Sequence, residues 1–445
     1  YLWDRNYSET RLPDVPSAIL EILSHQSFPD MKLAQNPMAK FTIARSLYKT
    51  ILRYVSSNHG KKYTVQPLPP NHFSVEVNNQ GIATLSWSPQ TDKTEPTAAP
   101  TSYVLYIAEG RSGFDNGQII RTAACQIKLE PGKMYSFKVT ALNKGGESFP
   151  SETLAALYNP KARHTVLIVN NFHRLAAPQV IDNEAEQGFD FDQDPGVSYG
   201  LNAGWNGKQR VFKRSKMGVM TADGLGYCGD EMAGQMIAGN DFNYPVEHAR
   251  AIATSNLYSI ASCSSEAILS GKVKMGKYPI VDLINGLERY DGYTPEYYKS
   301  FTPTMINKIE NYIHHGGRLL VSGSYIGSDM QTDEEKNFLA NTLKVQYQVS
   351  DSLKATPMVN GLGMNFDYYD KLNDKHYAAT HPDILAPIDG AICTMQYING
   401  ASAAVGYKGN GYRSFTMGFH FECIKNEQTR GQLMSGILKY LLGNK

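Results

Sequence analysis

Four residues of this chain have the types and spacing to do chemistry. Ser324 lies in "VSGSYIGSD", and His420 and Glu422 lie in "GFHFE". A hydroxyl nucleophile, a histidine to take its proton and a carboxylate to orient the histidine form a hydrolytic set. His420 and Glu422 are two residues apart, which on a strand puts both side chains on one face. In the turn after the preceding strand, Ser324, or Tyr325 beside it, would be the nucleophile. Cys263, in "SIASCSSE", comes in the wrong element order for that turn. The fourth residue is Glu21, in "VPSAILEILSHQ". Val15, Ala18, Ile19, Leu20, Ile22 and Leu23 read as a buried strand bounded by Pro13 and Pro16. A carboxylate in such a strand loses its hydration and persists only with a partner. A carboxylate of this kind could act as a general base.

Other constellations are weaker. "DFDQDPG" offers Asp190, Asp192 and Asp194 as the first three alternate acids of a calcium loop. Pro195 displaces the required glycine and no glutamate stands at the twelfth position, so a solvated acidic loop is the plainer reading. Asp241 and His248, in "AGNDFNYPVEHARAIA", read as capping or core residues without chemistry. Trp87 reads as a core residue rather than a sugar-stacking platform.

The elements that must position these residues fall into three segments. At 445 residues the chain has length for roughly two to four domains of about 100–200 residues each. Residues 1–58 hold the Glu21 strand and then an amphipathic helix, on which Phe41, Ala44, Leu47, Tyr48, Ile51, Leu52 and Val55 recur at three- and four-residue steps. One strand and one helix bury too little surface to fold alone, so the segment must complete a larger domain or dock on a neighbour. A Pro-bearing linker spans 59–65. From 66 to 160, "ATLSWSP", "SYVLYIAEG" and "CQIKLEPGKMYSFKVTALN" are short strands with regular turn signals, a β-sandwich pattern. From 161 to 445, "HTVLIVNNF", "YPIVDLINGL", "TPTMINKIENYIHHGG", "RLLVSGSYIGSD" and "EEKNFLANTL" alternate strand and helix, which predicts a doubly wound α/β sheet. Antiparallel strands and the helix "EQTRGQLMSGILKYLLG" close the chain.

Composition limits the partners. A formal charge of +1, with 19% charged residues and no basic block, argues against nucleic acid or an anionic membrane as the main partner. No apolar run approaches the ~20 residues that span a bilayer. The five cysteines are scattered, without CxxC or zinc-finger spacing.

Three resemblances give these segments meaning. Residues 66–158 resemble a fibronectin type III domain. Trp87 stands at the place of the core tryptophan, and Tyr135, in "LEPGKMYSFKVTALNKGGES", at that of the corner tyrosine. The order of the third segment, with "HHGGRLLVSGS", resembles flavodoxin-like domains related to class I glutamine amidotransferases, which implies that Ser324, His420 and Glu422 occupy a degenerate form of that family's catalytic site. "LPDVPSAILEILSHQSFPDM" followed by "NPMAKFTIARSLYKTILRYV" resembles the end of the zinc-dependent N-acetylmuramoyl-L-alanine amidases of bacterial cell walls. That resemblance implies that Glu21 is the catalytic base. It also implies that the zinc ligands lie upstream of Tyr1, since His25 and His59 do not match their positions.

The expectation is a multidomain chain: an α/β remnant, a fibronectin type III β-sandwich acting as spacer, then a flavodoxin-like α/β domain. It would be the C-terminal part of a secreted or periplasmic peptidoglycan amidase, inactive by itself. Architectures of this kind are sometimes labelled xanthan lyases, but no helical toroid suited to β-elimination is visible. The alternative is a non-catalytic surface glycan-binding or adhesion protein.

Overall fold

A computed structural model describes residues 7–443 apart from 25–26, 185–186, 190–193, 195, 204–208, 212–226, 230–233, 295, 350–352 and 410. The apolar run around Glu21 is not a strand. Residues 16–22 are coil, and Val15, Ile19, Leu20, Ile22 and Leu23 are exposed. Leu23 takes a left-handed backbone (φ 61°) that ends any extended path. An extended segment needs a neighbouring ladder for its N–H and C=O groups, and no described strand lies beside this one.

Two helices follow, α1 (Phe28–Gln35) and α2 (Pro37–Asn58). Asn36 caps α2 by accepting from the N–H groups of Met38 and Ala39, and Pro37 occupies the first turn, where its missing N–H costs nothing. The α2 helix docks largely through charged residues, with Phe41 against Phe149 on the same side, and part of its apolar stripe stays outside. Arg45 and Lys49 reach Asp92 at 2.9 and 3.1 Å, and Arg53 reaches Glu95 at 2.5 Å. Asp92 and Glu95 are nearly buried and need cations, which decides the docking face. Leu47, Ile51, Tyr54 and Val55 are left exposed.

Eight strands form a sandwich: β1 (Asn71–Val77), β2 (Ile82–Ser88), β3 (Ser102–Glu109), β4 (Gln118–Ile120), β5 (Ala124–Lys128), β6 (Met134–Asn143), β7 (Gly146–Glu147) and β8 (Leu154–Leu157). One sheet runs β1–β2–β5; the other is built on β3 and β6, with β4, β7 and β8 paired to them. Alternate residues from both sheets, including Phe73, Leu85, Trp87, Leu105, Phe137 and Val139, fill the space between. Trp87 is 2% exposed and packs edge-on against Phe73 and Tyr103. The backbone N–H of Glu130 donates to the Tyr135 hydroxyl at 3.4 Å, closing the corner.

Beyond β8 lie the parallel strands β9 (His164–Asn170), β10 (Tyr258–Ser264), β11 (Ile280–Gly286) and β12 (Arg318–Gly323). The strand β13 (Ser402–Gly409) turns back into β14 (Tyr412–Met417), which lies parallel to β12. The parallel order is β10–β9–β11–β12–β14, in chain terms 2-1-3-4-5. Side chains alternate between two cores. Val166, Ile168, Ile260, Ile280 and Leu320 face α3 (Tyr244–Ala253) and α7 (Glu427–Leu442). Leu167, Val169, Val281, Leu283 and Val321 face α4 (Ser265–Leu269), α5 (Pro303–His314) and α6 (Asp333–Phe338).

The sandwich is no loose spacer. Strands β1 and β8 both pair antiparallel with β10 and so close the edge of the parallel sheet. Ser262 Oγ on β10 both donates to the carbonyl of Ala155 and accepts from its N–H, at 2.7 and 2.9 Å.

Candidate functional site

Ser324 and His420 meet in space, and Glu422 is joined to them only through a further side chain. His420 and Glu422 lie in the turn after β14, and Ser324 directly follows β12. Both sit at carboxyl ends of parallel strands, where α/β sheets place their sites. His420 Nε2 is 2.9 Å from Ser324 Oγ. Glu422 does not touch His420. Tyr377 stands between them, its hydroxyl 2.8 Å from His420 Nδ1 and bonded to Glu422 Oε1. On the far side, Glu422 Oε2 is 3.2 Å from His248 Nε2, and His248 Nδ1 is 2.7 Å from Asp282 Oδ2. Six side chains thus form one polar chain from β12 through the loop at 377 to α3 and β11.

Electrostatics fixes the protons along this chain. Burial works against the charge of Glu422, but bonds from His248 and the nearby imidazoles outweigh it and hold the carboxyl down to about 2. Burial likewise opposes a charge on His248, and Asp282 and Glu422 overcome it, raising the imidazole to about 9. Burial dominates at His420 and lowers it to about 4. With Glu422 ionised, the Tyr377 O–H donates to it, so His420 donates its Nδ1–H to the Tyr377 oxygen. The Nε2 lone pair then faces Ser324, as a general base requires. The serine has one proton and a competing acceptor, the Thr380 carbonyl at 2.6 Å.

The arrangement is sealed. Ser324, His420, His248 and Asp282 are 0% exposed, Glu422 is 1% and Tyr377 is 2% exposed. A scissile carbonyl must come within about 3 Å of the nucleophile, and in this conformation none can.

An open site begins one residue later. Tyr325 is held in the left-handed region (φ 53°), an expensive conformation for a bulky residue. Its hydroxyl donates to Asp194 at 2.6 Å and accepts from Arg289 at 2.8 Å. Arg289 also bonds Asp194, Asp291 and the Ala177 carbonyl. Tyr325, Arg289 and Asp291 border a cavity of about 420 Å³ beyond the carboxyl ends of β11 and β12. The strand end and the loops at 178–180, 289–293 and 381–383 form its walls, with Tyr290, Tyr293, Tyr325 and Tyr347 among them.

The remaining sequence candidates are dispersed. Glu21 is exposed. Asp190, Asp192 and His25 lie outside the described residues. Asp194 is committed to Arg289 and Tyr325 and is no part of an open acidic loop. Cys263 is buried in β10. His59 ends α2, and Asp241 accepts from the N–H of Asn243. His248, read from sequence as core, is in fact the hub of the polar chain. Tyr377 and Asp282 were missed altogether. A signal for Asp282 existed: it interrupts the apolar run "PIVDLIN", as Glu21 interrupts its own.

Comparison with known proteins bears on one segment. The family model for the fibronectin type III domain matches residues 68–156. Residues 68–156 are a fibronectin type III domain. Contactin-5 of Gallus gallus is 35% identical over 96 residues, covering 19% of this chain and 9% of that protein, and contactin-5 of Mus musculus is 34% identical, covering 19% and 8%. The chain therefore spans less than a tenth of these curated relatives. A solution structure of the fibronectin type III domain of human fibronectin type III domain containing protein 3 is 27% identical, covering 22% of this chain and 92% of that one, with a TM-score of 0.20. Among the described residues, no helix is long and apolar enough to cross a membrane.

Proposed function

We propose that this chain is the accessory part of an extracytoplasmic cell-wall hydrolase, and that its α/β unit binds wall glycan or peptide. The observation carrying this reading is the contrast at the end of β12: Ser324 faces a sealed polar chain, while Tyr325 faces an open cavity. A nucleophile without access does not turn over substrate, and a cavity lined by tyrosines and polar groups is suited to binding. The 2-1-3-4-5 strand order supports reading the unit as flavodoxin-like, with a relation to class I glutamine amidotransferases in which hydrolysis has been lost. The fibronectin type III domain, paired to β10, would hold this unit at a fixed angle to whatever precedes it.

Hydrolysis itself would belong to the amidase class, with Glu21 as its base and zinc as its metal. Among the described residues no group of three or more His, Cys, Asp or Glu side chains could hold a metal ion, so the residues present do not fit zinc and no step is assigned to it. The exposed stripe of Leu47, Ile51, Tyr54 and Val55 supports the reading, because a further domain would cover it. The test is release of L-alanyl peptides from purified peptidoglycan by the full-length protein. Glu21→Gln should lower turnover by about 10²–10⁴-fold while leaving the melting temperature in place. Unchanged turnover ends the amidase role of Glu21. The second reading, a non-catalytic surface adhesion protein, is favoured by the exposure of Glu21 in coil, and it predicts wall binding with no peptide release by the wild type.

A further inference from the structure

The walls of the cavity bordered by Tyr325 are unevenly supplied with hydrogen-bonding groups. Its cationic donor, Arg289, is engaged internally. The Arg289 guanidinium bonds Asp194, Asp291, Tyr325 and the Ala177 carbonyl, and the Tyr293 hydroxyl donates to the carbonyl of Pro178. Acceptors remain. Gln179 Oε1 lines the cavity, is buried and has no hydrogen-bond partner among the described residues. Asp383 (3% exposed) takes two backbone N–H groups, from Gly327 and Ser328, on Oδ2 alone. Asp329 accepts one backbone N–H on each oxygen, from Tyr290 and Ser300.

Charge is uneven in the same sense. Around the cavity and directly behind it stand Asp194, Glu288, Asp291, Asp329 and Asp383, against Arg174 and Arg289. Lys299 is occupied by Glu335 at 2.7 Å. His381 completes the wall, stacked on Tyr325 with ring centroids 5.8 Å apart. An acceptor-rich, acidic cavity walled by aromatic faces disfavours anions and suits a donor-rich cation, since tyrosine faces also attract positive charge.

We propose that this cavity binds a small organic cation bearing a protonated amine, with Asp383 and Gln179 accepting from the ammonium and tyrosine faces holding its body. The volume of about 420 Å³ lies within the range of small-molecule sites, roughly 300–1,000 Å³, and admits a single sugar ring or a short peptide end. Burial raises Asp383 to about 6, with the Gly327 and Ser328 N–H groups opposing it. A bound cation would stabilise the ionised form, so affinity should rise as pH passes upward through that value, with Asp329, His381 and Arg289 as the other charges facing it. The inference deepens the binding role proposed above by naming the ligand chemistry, and it rests on that reading only in taking the cavity as the binding surface.

Two sources could supply the amine, an amino sugar or the free end of a peptide. The test titrates the whole chain calorimetrically with glucosamine, N-acetylglucosamine, alaninamide and N-acetylalaninamide at pH 5 and pH 7.5. At least one free amine should bind about tenfold or more tightly than its acetylated partner, and more tightly at pH 7.5. Glucosamine alone points to a sugar, alaninamide alone to a peptide, and both to the shared ammonium. Asp383→Asn, which keeps the acceptors for Gly327 and Ser328, should abolish the amine preference. Tyr347→Ala, at the cavity wall, should weaken binding of the amines with the melting temperature nearly unchanged. Equal binding within each pair, or no binding by any of the four at millimolar concentration, overturns the proposal. Co-sedimentation with purified peptidoglycan separates the two claims: wall binding without amine preference rejects this inference alone, and amine preference without wall binding rejects the wall-binding role alone.

Discussion

Two carboxylates interrupt apolar runs in this chain, Glu21 in "SAILEIL" and Asp282 in "PIVDLIN", and they end in opposite environments. Asp282 lies on β11, fully buried, with β9 and β12 on either side and His248 at 2.7 Å. Glu21 is exposed coil with no described strand beside it. The local patterns are nearly the same. A buried strand is a property of the sheet that receives it, and a buried carboxylate is a property of the cation that meets it. Asp282 has both, and Glu21 has neither within the described residues.

The largest test of that contrast is removal of Asp282. Asp282→Ala leaves the His248 imidazolium without its strongest partner inside the core, and losing one member of a buried pair typically costs about 3–5 kcal/mol. Urea denaturation should report a loss in that range. A loss under about 1 kcal/mol, the scale of an ordinary surface change, would mean that the polar chain is not a tightly coupled unit.

The pH dependence of stability follows from the same chain. His248 is raised to about 9, so its contribution is complete below its unfolded value near 6.5 and is lost as pH rises through 9. His420 is lowered to about 4, so its folded state favours the neutral ring, and that contribution is lost as pH falls from 6.5 through 4. Glu422, held to about 2, adds a loss between about 4.5 and 2. Stability should therefore peak near pH 6.5. In His248→Gln the alkaline limb should flatten; an unchanged limb would show that the imidazolium is not charged in the folded state.

A smaller effect is expected where α2 meets the sandwich. Asp92, held to about 2 against its burial by bonds from Arg45, Thr94 and Lys49, joins the helix to the fibronectin type III domain. Asp92→Ala should raise amide exchange through residues 37–58 while the cores of the sandwich and the parallel sheet keep their protection. Uniform loss of protection would show that α2 is integral to the whole fold.

The smallest expected change belongs to Glu21 itself. In this chain Glu21→Gln should alter stability by less than about 0.5 kcal/mol, as for other exposed sites away from packing. A serine-directed probe should likewise leave the sealed Ser324 unlabelled. Stoichiometric labelling lost in His420→Ala would reopen the hydrolytic reading.

Much of the fold was legible in the amino-acid order. The apolar runs of β9 and β11, the strand–helix alternation that includes α5, and the tryptophan and corner tyrosine of the sandwich are local patterns that packing enforces rather than overrides. Ser324, His420 and Glu422 could be named as candidates from residue type and spacing, and strand ends in an α/β sheet converge on one side. What the sequence could not convey was who stands between them. Tyr377 is 53 residues from Ser324 by number, His248 belongs to another helix, and only the tertiary structure puts the phenol between His420 and Glu422 and the imidazolium behind them. The docking of α2 through its charged residues was equally hidden, since the buried Asp92 and Glu95 that demand it lie on a different segment. So was the joining of the sandwich to β10. Periodicity specifies which face of an element is apolar; what that face meets, and whether a charge in it is matched, is decided by groups distant in the chain.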